Sequence, residues 1–132
     1  MIAFFLMCAL TDGAFPLATV ARGSMSSIDE PYQAVVRSQA DWTALWARHG
    51  AGTPAPAVDF KARMVVGVFL GSRPTAGYAV EIVDVRRVDD GLVVEYRETA
   101  PAPDRMVAQV ITAPFHLVSF ERQDGAVKFV KR

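Results

Sequence analysis

Two strand patterns meet across Gly71-Ser72-Arg73-Pro74-Thr75-Ala76-Gly77-Tyr78, a junction that constrains the fold more than any other stretch of the chain. Before it, Met64 to Leu70 is a short apolar run rich in β-branched residues; after it, Tyr78-Ala79-Val80-Glu81-Ile82 alternates apolar and polar. The connection is therefore a strand-to-strand turn. Pro74 fixes its own φ and biases Arg73 toward extended geometry, while Gly71 and Gly77 can take positive φ without a Cβ clash. Arg73, Pro74, Thr75, Gly77 and Tyr78 are the candidate partner-binding residues, because such a loop holds its side chains in a reproducible place; the alternative is a purely structural turn, with Tyr78 packed inward and Pro74, Thr75 and Gly77 required by the backbone.

The rest of the chain divides around this turn. Tyr32 to Val36 reads as a first, peripheral strand. Ser38, three residues before Asp41, opens a helix in which Trp42, Leu45, Trp46 and His49 share one face, and Gly50 stops it. After Tyr78 the apolar parity slips from Ile82 to Val83 and Val85, the mark of a β-bulge. Asp89-Asp90-Gly91 makes a hairpin into Leu92 to Glu98, and strands are predicted over Met106 to Thr112, Phe115 to Arg122 and Ala126 to Val130. Six or seven short strands with one amphipathic helix near the N-terminus predict an α+β domain. It is mainly antiparallel sheet, as a sandwich or a partly open barrel.

At 132 residues the chain fits a single domain over residues 31–132, preceded by a signal-like segment at 1–21 and a flexible linker at 22–30 rich in Ser and Gly. Met1 to Leu10 is nearly all apolar, and Thr19-Val20-Ala21 offers small residues at a cleavage position. Export to the periplasm or outside the cell is expected on that basis, and a cytoplasmic location if residues 1–21 are not a signal. The apolar stretch is too short and broken to span a membrane. Cys8 sits in it, and as a lone cysteine it excludes an internal disulfide and any zinc site built on cysteines. Fourteen basic residues balance fourteen acidic ones, so no overall field favours nucleic acid.

Catalytic constellations are absent from the pattern. His49 and His116 are the two histidines, one at a helix end where the dipole favours an imidazolium and one inside a strand, and no Gly-x-Ser-x-Gly elbow accompanies either. A phosphate loop needs a helix after its glycines, whereas a strand follows Gly77. Asp89-Asp90 serves a turn, and Trp42 and Trp46 read as core. No metal or cofactor is expected.

Trp42 with Leu45-Trp46, Val58-Asp59-Phe60 leading into Met64 to Gly71, Arg73 to Val80 at the turn, and Gln109 to Pro114 together resemble the C-terminal domain family of PrcB, an accessory subunit of a bacterial protease complex. The similarity runs over nearly all of residues 32–130. The family's turn often reads Pro-Thr-Gly-Gly-Tyr, and Ala76 here replaces the first of those glycines. The resemblance implies a non-enzymatic, exported accessory domain that docks on or stabilises a partner protein, a protease complex among the candidates. Pro74 to Tyr78 is also similar to a loop of chagasin-type protease inhibitors, with Arg73 where that family has Asn. A protease inhibitor using the Arg73 to Tyr78 loop is thus the alternative expectation, and an enzyme of unknown type the remote one.

Overall fold

The structure, a computed structural model, describes residues 14–132. The signal-like run Met1 to Leu10 and Cys8 lie outside the described residues. Seven strands are formed: β1 (Ala18–Gly23), β2 (Tyr32–Val36), β3 (Arg63–Phe69), β4 (Ala79–Val88), β5 (Gly91–Thr99), β6 (Phe115–Glu121) and β7 (Val127–Lys131). A helix, α1 (Gln39–His49), lies between β2 and β3. The strands make two sheets, ordered β1-β6-β3-β2 and β4-β5-β7, so the architecture is the sandwich and not the partly open barrel.

β3 shows why the apolar run before the turn does not alternate. Met64, Val66, Val68 and Leu70 face the second sheet in a core shared with Val80, Ile82, Val85, Leu92, Val94, Val118 and Phe120. Val65 and Phe69 face the other way, onto a core with Trp42, Leu45, Phe115 and Leu117 under α1. Covered on both faces, the strand has no solvent side to reserve for polar residues. Gly67 leaves room on the helix side, where the Leu117 side chain lies across it.

α1 begins and ends where the sequence signals it. Ser38 has extended backbone and its hydroxyl accepts the Asp41 N–H at 3.2 Å, a cap that stabilises a helix by about 1 kcal/mol. Gly50 takes φ 68° and its N–H closes on Trp46 O at 3.1 Å. Trp42, Leu45 and His49 are the buried stripe. In β4 the register shifts between Ile82 and Asp84, at the parity slip.

Three features differ from the sequence expectation. β7 pairs with β5 in parallel, because the turn at residues 123–125 carries the chain from one sheet to the other and is not a hairpin. Residues 106–111 form no strand; only Thr112 and Ala113 make isolated bridges, to Arg73 and Met25. Pro101, Pro103 and Pro114 bracket that segment and withhold backbone donors from a ladder. Residues 18–30, read as the end of a signal and a linker, lie against the body. β1 pairs antiparallel with β6 over Ala18 to Gly23, Ile28 is buried, and Ser27 N–H donates to His49 O at 2.9 Å. Backbone hydrogen bonds, with few apolar side chains beyond Ile28, Val20 and Ala21, order this Ser-rich stretch, which is why its composition reads as a linker.

The segment before β1 reaches the second sheet as well. Phe15 N–H donates to Val85 O of β4 at 3.0 Å and its ring stacks on Phe120 at 5.8 Å. Residues 14–23 thus stitch β4 to β6 along one side of the sandwich. A chain starting at Arg22 is expected to be less stable than one starting at Ala14 by on the order of 3 kcal/mol, from lost Phe15 burial and the β1 ladder. Urea midpoints of the two chains measure this, and equal midpoints would show the stitch to be passive. On the opposite side β2 and β7 are sheet edges without a neighbouring strand among the described residues. Arg37 closes one end of that seam by donating to Gln123 O and Gly125 O at 3.2 and 2.7 Å.

Candidate functional site

The central turn crosses from β3 in one sheet to β4 in the other, and its neighbours dictate its shape. Gly71 takes φ 80°, which brings its α-carbon against the Glu30-Pro31 backbone, and Ser72 N–H donates to Asp29 O at 2.9 Å. Arg73 and Thr112 exchange two backbone hydrogen bonds at 2.7 and 2.9 Å, and Ala76 N–H donates to Ala108 O at 3.0 Å. The Thr112 hydroxyl adds a bond to Thr75 O at 2.9 Å. Gly77, at φ 98°, sits against Pro101. The turn is therefore laid along residues 108–112 and held rigid from that side.

Its side chains divide between structure and surface. Pro74 and Gly77 are exposed, while Arg73, Thr75 and Tyr78 are half-buried. The Thr75 hydroxyl donates to Ala76 O at 2.9 Å. One guanidinium nitrogen of Arg73 donates to Leu70 O at 3.0 Å and Ser72 O at 3.3 Å, so half of the fork bonds its own loop. The other nitrogen lies 3.9 Å from Glu98 Oε1, attractive but beyond hydrogen-bond reach, and the group sits 5.9 Å over the Tyr78 ring.

Sequence reasoning missed the surface beside the turn. Met106 is 96% exposed, Ile111 68% and Val110 46%, all on the segment the turn is bonded to. Reading that segment as a strand assigns half of its apolar residues to a core. Its apolar residues between prolines are a signal of exposure that only the missing sheet partner discloses. On the other flank two cavities, of about 410 and 360 Å³, meet at Leu70, Arg73 and Glu98. The first runs between Tyr32 on β2 and Tyr96 on β5; the second is lined by Tyr78, Lys131 and Arg132.

Each histidine lies against a hydroxyl. Ile82 N–H donates to His116 Nδ1 at 2.9 Å, so the ring proton is on Nε2 and donates to Thr19 Oγ1 at 2.9 Å. Both ring nitrogens are consumed in joining β6 to β4 and β1. Burial, with a smaller contribution from the Arg22 charge, pushes the His116 pKa down to about 4. His49 Nδ1 meets Ser26 Oγ at 2.8 Å, and that hydroxyl accepts the Ile28 N–H, a staple holding the N-terminal segment to the helix end. The His49 ring packs against Trp46, Phe69 and Phe115, and burial lowers its pKa, whereas the helix-end position alone predicts a favoured cation. Neither ring lines the two cavities beside the turn. Among the described residues no His, Cys, Asp and Glu cluster is placed to hold a metal, and no helix is long and apolar enough to cross a membrane.

Among protein families, the model of the family described as PrcB C-terminal fits residues 64–121. The match runs from β3 through the turn to the end of β6, and leaves out β1, β2, α1 and β7. Of the stretches that carried the resemblance, Trp42 with Leu45-Trp46 and Val58-Asp59-Phe60 fall outside it. No curated protein and no solved structure matches the chain.

Proposed function

Residues 64–121 belong to the PrcB C-terminal family, and from that premise we propose that the chain is a non-catalytic docking domain, exported from the cytoplasm, that attaches to a partner protein of a protease complex. The docking surface is the Arg73, Pro74, Thr75, Gly77 and Tyr78 turn with the segment bonded to it. One observation carries this reading: Met106, Val110 and Ile111 are exposed apolar side chains on backbone that is already ordered by the turn. Water leaves such side chains on docking, a gain of about 1.5–3 kcal/mol for each one fully buried, and little chain entropy is lost because the backbone is preorganised. Half-buried Arg73 and Tyr78 are residue types that dominate interface energy. Export is supported by the apolar run Met1 to Leu10.

Affinity capture from envelope extract tests the reading, with the wild type beside Arg73→Ala/Thr75→Ala and Ile111→Asp. Ile111→Asp is expected to change stability by less than about 0.5 kcal/mol, as exposed substitutions do, and to reduce capture of a co-purifying peptidase at least tenfold. Undiminished capture by both variants removes this surface from the account. Recovery of the protein solely in the cytoplasmic fraction removes export.

A further inference from the structure

The two long sides of the sandwich are not alike. Residues 14–23 and His116 close the side where β4 and β6 meet, and the side between β2 and β7 is an open seam containing the two joined cavities. We propose that this seam binds an extended, acidic segment of a partner protein, with Arg73, Lys131 and Arg132 taking its carboxylates. The proposal rests on the docking reading and names the class of partner.

Charge is the first argument. The residues lining the joined cavities include three cations, Arg73, Lys131 and Arg132, against one carboxylate, Glu98, and Arg132 is also paired with Glu95 beside them at 3.1 Å. Glu98 is shared at 3.9 Å with Arg73 and 3.5 Å with Lys131, so it is too distant from either for a strong charge-assisted bond. Lys131 and Arg132 are 55% and 51% exposed and sit at the end of β7, where they are reached without moving backbone. A partner carboxylate at hydrogen-bond distance from Arg73 or Lys131 makes the short charge-assisted contact that Glu98 does not.

Shape is the second argument. A seam flanked by unpaired strand edges suits an extended chain, whose side chains alternate between the wall and solvent. Tyr32, Tyr78 and Tyr96 supply amphipathic walls for the positions between the carboxylates. A nucleic acid does not fit the same surface, because the balanced net charge offers no run of phosphate contacts.

The probe is an acetylated, amidated hexapeptide alternating aspartate with valine, against its counterpart alternating asparagine with valine, titrated into the isotope-labelled chain and followed by backbone amide shifts. The aspartate peptide is expected to move the resonances of Tyr32 to Val35, Arg73 and Lys131. Binding is expected to weaken at least tenfold for the asparagine peptide, and again for Lys131→Glu/Arg132→Glu. Equal binding of the two peptides, absence of binding, or shifts elsewhere overturns the proposal. Envelope capture by Lys131→Glu/Arg132→Glu separates the two claims: if it persists while the aspartate peptide fails to bind, the acidic segment is wrong and the docking surface stands.

Discussion

Acidification from above pH 6.5 to pH 4 is expected to lower the stability of this domain by on the order of 3 kcal/mol, chiefly through one buried imidazole. His116 titrates near 4 in the folded chain and near 6.5 unfolded, so between those values the unfolded chain binds a proton that the native chain refuses. The contribution is fully present above pH 6.5, falls through this window and is exhausted below 4. His49, also lowered by burial, acts in the same direction. Protonation at His116 Nδ1 turns the acceptor for Ile82 N–H into a donor, which breaks the bond between the sheets. His116→Asn keeps an acceptor near Nδ1 and removes the titration. Its overall stability falls, while its pH dependence between 4 and 6.5 flattens. Urea unfolding across pH is the measurement, and an unchanged slope in the variant would show that His116 is not the sensor.

Gly71→Ala is expected to cost on the order of 2–4 kcal/mol of stability. Two effects add there: φ 80° is disfavoured for any side chain, and the new Cβ comes within 2.8 Å of Pro31 N and 2.9 Å of the Glu30 carbonyl carbon. Both obstacles are backbone, so no side-chain rotation relieves them. Gly52 provides the internal control, because it has φ 75° with nothing within 4 Å of the place a methyl group would take. Gly52→Ala carries the conformational cost alone, about 1 kcal/mol. If thermal unfolding finds the two variants alike, close approach at the turn contributes nothing.

Much of the framework was legible because local rules and tertiary packing agreed. Ser38 and Gly50 bounded the helix, the slip after Ile82 located the bulge, and Asp89-Asp90-Gly91 marked the hairpin, each through backbone chemistry confined to a few residues. The parallel pairing of β7 was not legible, since the turn before it reads the same whether the chain folds back or changes sheet. β1 was hidden by position: an apolar and small-residue stretch near the start of a chain reads as a leader, and its pairing with β6 is to a segment far away in sequence. At the candidate site the turn was visible from Gly71, Pro74 and Gly77. Its pairing to residues 108–112 was not, because it depends on backbone bonds between segments far apart in sequence. Arg73 illustrates the same limit, since one of its nitrogens is committed to Leu70 and Ser72 carbonyls that no motif announces.

The position of β1 also sets an order of events. Thr19 and His116 stand 97 positions apart, and β6 is followed only by β7 among the described strands. Once β1 has left the ribosome it therefore waits for nearly all of the sandwich to be synthesised before its neighbour exists, and such long-range pairing slows folding to milliseconds or longer. During synthesis the chain is a nascent thread without a completed sheet, a state that leaves apolar surface uncovered until β6 is made.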